Sequence, residues 1–301
     1  MEFTLAHGTA NDFVLLTDLD DQLDLSASMV RALADRRRGL GADGVIRIGR
    51  GTGDAEVFMD YRNADGSVVE MCGNGVRVVA KHVVDHGLVH PGPDEVVRIA
   101  TRAGIKPVRI VGRHADGRVA MVEVDMGPPV LETDAVPFVA ADPAALRHHL
   151  DVEEEVVAFS VVSMGNPHAV LVVDDVDAAP VHRVGPRLEH DPSFPMGVNV
   201  GFAEVSGQNR IRLRVWERGV GETAACGTGA CAAAVTLQRL GLTGSRVAVD
   251  LPGGTLQIEH PTGGSVIMSG PAVEVAHGTL DSGWLAAVAR VDEAPLVRSE
   301  P

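Results

Sequence analysis

Short apolar runs separated by glycine and proline clusters recur along most of this 301-residue chain. Runs rich in valine and isoleucine and bounded by turn residues are typical of β-strands, so the pattern predicts a strand-rich protein. The predicted strands are Phe13–Leu16, Val45–Ile48, Glu56–Tyr61, Val96–Ala100, Val119–Asp125, Ala169–Val173, Val200–Val205, Arg210–Trp216, Arg246–Leu251 and Thr255–His260.

Helical patterns are fewer. One is predicted from Ser26, a suitable N-cap, to Arg37, and another from Val181 to Glu189. Two more follow Cys72 and Cys226. Apolar residues recur on one face of the first of these two helices, whereas almost every residue of the second is small or apolar. We therefore expect each helix to run through the centre of its own sheet.

The two halves of the chain repeat each other. Cys72-Gly73-Asn74-Gly75 aligns with Cys226-Gly227-Thr228-Gly229, and at nearly the same offset Asn63 aligns with Glu217 and Asn11 with Asn166. A strand-like run precedes each cysteine motif and a helical pattern follows it. Several features that align at almost one offset indicate a duplication.

The repeat predicts an α+β fold of two pseudo-symmetric, strand-rich halves. Each half is expected to be a curved sheet around a central helix, with the active site between them. The predicted N-terminal half covers residues 1–128, with 276–301 returning to it, and the C-terminal half covers 129–275. The boundary is placed at the Gly127-Pro128-Pro129 turn.

Composition narrows the class of protein. A net charge of −15 disfavours nucleic acid and anionic membranes as partners. No signal peptide is visible, no apolar window is long enough for a membrane span, and three cysteines are too few for a disulfide framework. We expect a cytoplasmic protein that acts on a small molecule, and the sequence leaves open whether it forms a homodimer.

The two cysteine turns suggest a specific chemistry. Helix N-termini present unpaired N–H groups, stabilise thiolates and bind anions, and glycines there let a carboxylate approach the backbone. If the Cys72 and Cys226 sulfurs bracket one substrate carbon, one thiolate can remove its proton while the other thiol protonates the opposite face. That carbon would be inverted.

These residues resemble the diaminopimelate epimerase family. The resemblance rests on segments in one order along almost the whole chain. They are Asn11-Asp12-Phe13, Arg62-Asn63-Ala64-Asp65-Gly66-Ser67, Met71–Arg77, Gly165-Asn166-Pro167-His168, Gly197–Phe202, Trp216–Thr223 and Cys226-Gly227-Thr228-Gly229. The resemblance implies an isomerase that interconverts LL- and meso-diaminopimelate in lysine and peptidoglycan-precursor synthesis, without metal or pyridoxal phosphate.

The resemblance also implies roles for individual residues. Cys72 and Cys226 would be the proton-transfer pair, and His168 and Glu217 would tune them. The residues implied to contact substrate are Asn11, Asn63, Gly73, Asn74, Asn166, Asn199, Glu217, Arg218, Gly227 and Thr228. The sequence departs from the family pattern at Gly44, where a substrate-contacting glutamine is common.

Three alternatives remain in view. A related two-cysteine proline or hydroxyproline racemase would share the cysteine turns, but the asparagines and Glu217-Arg218 favour a longer, doubly charged substrate. A redox protein with a switchable Cys72–Cys226 disulfide would tolerate loss of Arg218. Metal binding by the two cysteines and His168 lacks close ligand spacing.

A pyridoxal phosphate enzyme would need a Schiff-base lysine. The chain has only Lys81 and Lys106, and neither lies in a phosphate-binding context. The sequence therefore predicts catalysis without a cofactor.

Overall fold

The structure is a computed structural model that describes residues 1–152 and 155–293. The chain divides into two compact units, which are described separately. The first contains Met1–Val122 and the described residues from Ala272 to Glu293, and the second contains Glu123–Pro271. Part of the segment predicted to return to the first half, residues 294–301, lies outside the described residues.

The first unit is built of nine strands and three helices among the described residues, with β8 continuing into the second unit. The strands are β1 Glu2–Gly8, β2 Asn11–Asp18, β3 Gly44–Arg50, β4 Val57–Asn63, β5 Val68–Val69, β6 Val96–Thr101, β7 Gly104–Arg113, β8 Val119–Asp125 and β18 Val273–Thr279. The helices are α1 Ala27–Ala34, α2 Gly73–Asp85 and α5 Ser282–Glu293.

The second unit repeats that order. Its strands are β9 His148–Val152, β10 Glu155–Ser163, β11 Pro167–Val172, β12 Asn199–Gly207, β13 Arg210–Glu217, β14 Gly221–Thr223, β15 Arg246–Leu251, β16 Gly254–Glu259 and β17 Ile267–Pro271. Its helices are α3 Val181–Glu189 and α4 Gly227–Arg239, preceded by a short 3-10 turn at Thr133–Ala135.

Strand pairing follows the same scheme in both units. In the first, β1–β2 is antiparallel, β2–β3 parallel, β3–β4 antiparallel and β4–β6 parallel. In the second, β10–β11 is antiparallel, β11–β12 parallel, β12–β13 antiparallel and β13–β15 parallel. The expectation of an α+β fold with two pseudo-symmetric, strand-rich halves is confirmed.

Each unit has one helix at its centre. Helix α2 contacts β1, β2, β4, β6, β7 and β18, and helix α4 contacts β10, β11, β12, β13, β15 and β16. Every residue of α2 from Gly73 to Val83 is buried, including the polar ones. Alanines 230, 232 and 233 of α4 are fully buried, which explains why its sequence has no polar face.

Helix α1 ends earlier than its sequence pattern predicts. It stops at Ala34 instead of Arg37, because Asp35 adopts an extended conformation and its carboxylate accepts the backbone N–H groups of Arg37 and Arg38. Within the described residues, no helix is long and apolar enough to cross a membrane.

Candidate functional site

Cys72 is the N-cap of α2. Its backbone is extended, with φ −141° and ψ 120°, and its sulfur accepts the N–H of Gly75 at 3.4 Å. A cap in this conformation leaves the first N–H groups of the helix without intrahelical partners, so that they are available to an anion. The half-buried thiol therefore lies beside a group of backbone donors.

Asn11 and Asn74 lie next to this thiol. Asn74 donates from Nδ2 to Asn11 Oδ1 at 3.1 Å, and the same oxygen lies 3.9 Å from Cys72 Sγ. Asp43 holds the other end of Asn11, accepting its Nδ2 at 2.8 Å. The structure thus brings Asn11, Asn74 and Cys72 together in the first unit.

A buried arginine supports the same turn. The fully buried Arg77 donates to Thr9 Oγ1 at 2.8 Å, to Asn74 Oδ1 at 3.0 Å and to the Gly73 carbonyl at 3.3 Å. Thr9 lies in the β1–β2 turn, where it and Ala10 both adopt positive φ angles that non-glycine residues rarely take. The guanidinium therefore ties the turn before Asn11 to the start of α2.

Asn63 ends β4 and is held from two sides. Its Oδ1 accepts the Tyr61 hydroxyl at 3.0 Å, and its Nδ2 donates to Ser67 Oγ at 3.1 Å. The backbone register pairs Asn63 with Gly44 of β3. Asn63 is thus part of a fixed hydrogen-bonded chain.

The same pairing explains Gly44. A Cβ at Gly44 would lie 2.4 Å from Cε2 of Tyr61 and 2.5 Å from the carbonyl oxygen of Arg62, distances that real atoms do not adopt. Tyr61 packs edge-on against Phe13 at a centroid distance of 5.5 Å, which fixes its ring there. The space that a side chain at position 44 would need is filled by Tyr61.

Cys226 is the N-cap of α4, with its sulfur accepting the N–H of Gly229 at 3.3 Å and lying 3.5 Å from Thr228 Oγ1. Helix N-termini generally favour the thiolate. Here burial raises the pKa of the Cys226 thiol well above its usual range, and the Glu217 carboxylate raises it further. The Thr228 and Gly229 hydrogen bonds only partly offset this, so Cys226 carries its proton.

His168, Asn166, Asn199 and Arg218 form a connected group in the second unit. The parallel register pairs His168 with Asn199, and a His168 ring nitrogen lies 3.0 Å from Asn166 Oδ1. Asn199 accepts the backbone N–H of Arg218 at 3.0 Å and donates to the Pro167 carbonyl at 3.0 Å. Burial, and then the nearby Arg218 charge, lower the pKa of His168 to about 3, so the ring is neutral.

Glu217 and Arg218 are fixed by the β13–β14 hairpin. Thr223 donates its hydroxyl to Glu217, and Arg218 donates to the Met196 carbonyl at 2.8 Å. The buried Glu189 of α3 accepts Trp216 Nε1 and the backbone N–H of Gly219, each at 2.7 Å. One carboxylate of α3 therefore anchors both sides of the segment that carries Glu217 and Arg218.

Each unit thus contains its own part of the predicted residue set. In the first, Asn11, Cys72, Gly73 and Asn74 are contiguous through hydrogen bonds, and Asn63 is linked instead to Tyr61 and Ser67. In the second, Cys226, Gly227 and Thr228 form the start of α4, Glu217 acts on Cys226, and His168 groups with Asn166, Asn199 and Arg218.

Sequence reasoning missed the residues that hold these groups: Tyr61, Arg77, Glu189 and Thr223. A signal existed for Arg77, which follows Gly73 and Asn74 by four and three positions and therefore shares their helix face. Tyr61 is the only tyrosine of the chain and lies two residues before Asn63 on the same strand face. The sequence around Glu189 does not indicate its role, because its partners Trp216 and Gly219 lie in and just after β13, about 30 residues further along the chain.

Several solved structures share the fold of this chain. A probable proline racemase from Agrobacterium radiobacter K84 superimposes with a TM-score of 0.69 at 15% identity, covering 93% of each chain. A hydroxyproline epimerase from Agrobacterium vitis superimposes with a TM-score of 0.64 at 15% identity, covering 96% of this chain and 98% of that chain. The fold is the one these racemase and epimerase structures share.

Sequence similarity identifies the family within that fold. The family model described as diaminopimelate epimerase matches residues 3–132 and 160–275. Diaminopimelate epimerases from Leptospira biflexa and Aromatoleum aromaticum are 44% and 48% identical, each over 93% of this chain and 99% of the relative. The chain belongs to the diaminopimelate epimerase family.

Proposed function

We propose that this protein inverts one α-carbon of diaminopimelate, converting the LL to the meso isomer by proton transfer through Cys72 and Cys226. One observation carries the proposal: in a chain of this family, each unit places a cysteine at the N-cap of its central helix. The reaction would serve lysine and peptidoglycan-precursor synthesis.

The starting protonation state follows from the second unit. Cys226 is buried beside Glu217 and holds its proton, so in the resting protein it is the acid. Cys72, half-buried and next to Asn11, is then the thiol that must lose its proton to act as base. After one inversion the roles are exchanged, and the proton taken from one face is carried by Cys72.

The carbanion formed by proton removal needs stabilisation at the α-carboxylate. Gly73 and Asn74 in α2, and Gly227 and Thr228 in α4, supply backbone N–H groups at helix N-termini, where negative charge is favoured. These donors are oriented before the reaction begins, so no reorganisation is required as the charge develops.

The polar side chains would recognise the rest of the substrate. Arg218 is the cation suited to a distal carboxylate, and Asn63, Asn166 and Asn199 offer both donors and acceptors to an amino acid group. His168 is neutral and can hydrogen-bond without adding charge. Glu217 is proposed both to contact substrate and to keep Cys226 protonated.

Acid, base and anion donors all come from the chain itself, so the proposed reaction uses no cofactor. We expect the protein to act in a reducing cytoplasm, because the mechanism requires Cys72 and Cys226 as free thiols.

The proposed reaction does not depend on whether the protein forms a homodimer. Sedimentation velocity would distinguish a homodimer from a monomer.

Isotope incorporation tests the reaction. LL-diaminopimelate incubated with the protein in deuterated buffer should yield meso product with deuterium at the inverted carbon. Substrate recovered early should keep its protium, because a thiol that returns its proton to the same face returns the one it removed. Deuterium entering substrate and product equally would contradict two separate acid–base groups.

The three cysteines provide matched variants for the mechanism. Cys72→Ala and Cys226→Ala should each lower the inversion rate by at least about 100-fold, because each removes an acid–base group. Cys231→Ala, in the buried part of α4, is the control and should keep the wild-type rate. Inversion of proline but not diaminopimelate would instead identify a proline racemase.

A further inference from the structure

Two histidines and a glutamate lie together at the far end of α2 from Cys72. His82 and His86 are four residues apart and therefore share one face of the helix, and Glu274 of β18 faces them. The ligand atoms of the three side chains all lie within 4.8 Å of one another. Cys72 and His82 are separated by ten residues of helix, about 15 Å, so the cluster is distinct from the cysteine turn.

The distances suit a shared ion. His82 Nδ1 lies 2.8 Å from Glu274 Oε1, and His86 Nε2 lies 3.2 Å from Glu274 Oε2. Ligand atoms around a tetrahedral zinc ion with bonds of about 2.1 Å are about 3.4 Å apart. Small side-chain movements would therefore let all three atoms reach one cation.

The environment is partly closed. The Glu274 carboxylate is 1% exposed and the His82 ring is nearly buried, whereas His86 is 39% exposed and borders solvent. The interior side chains are thus fixed by the fold, and the His86 side provides an entry path for an ion.

The second nitrogen of His82 also has a partner. Its Nε2 lies 3.0 Å from the Thr17 hydroxyl of β2. Histidines that bind metals usually hold their other ring nitrogen in a hydrogen bond of this kind, which fixes the ring orientation. The Nδ1 atom of His82 therefore faces Glu274 and is the atom that would bind the ion.

Charge favours a cation in this place. The two imidazole rings pack with centroids 4.4 Å apart, so protonating both would place two positive charges side by side. Arg118 also lies 3.3 Å from Glu274 Oε2, but its side chain is 49% exposed and can move into solvent. If both rings are neutral, a bound dication can take the place beside the Glu274 carboxylate that a protonated histidine or Arg118 would otherwise occupy.

We propose that His82, His86 and Glu274 bind a divalent transition-metal ion, with Zn²⁺ as the best match to two imidazoles and one carboxylate. Mg²⁺ and Ca²⁺ prefer all-oxygen sites and fit this donor set poorly. The bound ion would join the end of α2 to β18, which pairs with β1, and so would have a structural role.

Zinc titration of the full-length, untagged chain against a chromophoric chelator tests the site. The cysteine turns are a second source of zinc ligands, so the titration is made in a Cys72→Ala/Cys226→Ala protein. We expect one Zn²⁺ per chain with micromolar or tighter affinity. Cobalt should give the visible absorption of a four- or five-coordinate ion without thiolate charge-transfer bands.

His86→Ala is the informative variant, because His86 is partly exposed and its removal should leave the fold intact. It should weaken zinc binding more than 10-fold, since even residues that only orient a ligand contribute about 10- to 100-fold. His149→Ala, at an exposed histidine of the second unit, is the matched control and should bind as tightly as the parent. Absent binding, or equal affinity in His86→Ala, would overturn the proposal.

Discussion

Cys72 and Cys226 occupy equivalent positions in the repeat but differ in surroundings. Both cap a helix, and both accept the N–H three residues later at nearly the same distance, 3.4 and 3.3 Å. Cys226 is buried near the Glu217 carboxylate, whereas Cys72 is half-buried near the neutral side chain of Asn11. A duplicated backbone thus places two thiols in different surroundings, and only at Cys226 do burial and a neighbouring carboxylate raise the pKa.

Tyr61 is the residue whose role can be tested most directly. Tyr61→Phe keeps the ring that fills the space at Gly44 and removes only the hydroxyl donated to Asn63. A hydrogen bond of this kind contributes about 1 kcal/mol, so we expect kcat/KM for diaminopimelate to fall about 5-fold. The loss should appear mainly in KM, because Asn63 is proposed to bind substrate.

Thr101→Val provides the control for Tyr61→Phe. It removes a hydroxyl that donates to the Gly104 carbonyl and accepts the backbone N–H of Ala103, in a turn of the same unit outside the proposed site. The free energy of unfolding of Thr101→Val should fall by at least as much as that of Tyr61→Phe, while its kcat and KM stay at the wild-type values. Equal kcat/KM in Tyr61→Phe and the wild type would show that Asn63 needs no such support.

At the scale of elements, the starts of α2 and α4 differ in how tightly they are packed. A Cβ added at Gly229 would lie 3.2 Å from Cys226 Sγ and 3.1 Å from Val215. A Cβ at Gly75 would lie 3.3 Å from the flexible end of Ile46 and 3.4 Å from Cys72 Cβ, and it would not crowd the sulfur. The position of the Cys226 sulfur therefore depends more strongly on Gly229 than the position of the Cys72 sulfur depends on Gly75.

Gly229→Ala and Gly75→Ala test this difference. Alanine at position 229 should displace the Cys226 sulfur by a few tenths of an ångström and lower kcat about 10-fold, because small misplacements of reacting groups are costly. Gly75→Ala should lower kcat much less. Neither should unfold the protein, since alanine favours helix over glycine by up to about 1 kcal/mol. A larger effect at Gly75 would contradict the packing argument.

The sequence predicted the elements whose signals are local. The bounds of α3, β8 and β15 agree with the pattern, because apolar periodicity and turn residues mark them directly. Strand β18 was not predicted, since its residues alternate between exposed and half-buried and it is defined by pairing with β1, far away in sequence.

In the candidate site, too, the sequence predicts local motifs but not the contacts between elements that are distant in the chain. The cysteine turns and the asparagines were predictable from motifs, but the filling of the Gly44 space depends on which residue of β4 faces β3. Such register is set by contacts between strands, which a single sequence does not specify. The support from Glu189 to Trp216 and Gly219 is likewise visible only after α3 and β13 are placed.

At the scale of the whole molecule, the buried His168 links the candidate site to stability. Burial holds its folded-state pKa at about 3, whereas an unfolded histidine has a pKa of about 6.5. Below pH 6.5 the unfolded chain therefore binds a proton that the folded chain does not. Stability falls with decreasing pH until about pH 3, by about 1.4 kcal/mol per pH unit.

His168→Gln should remove this dependence. Between pH 7 and pH 5 the wild type should lose about 2 kcal/mol more unfolding free energy than the variant, because the carboxylates and other histidines titrate equally in both. Urea unfolding can be followed by Trp216 fluorescence in a Trp284→Phe background, so that the signal comes from the second unit alone. Since His168→Gln will alter stability at every pH, the difference between the two pH values is the decisive quantity. Equal differences in both proteins would mean that the folded ring takes up a proton between pH 7 and pH 5 as readily as an unfolded histidine does, and the depressed pKa on which its neutral role rests would then be wrong.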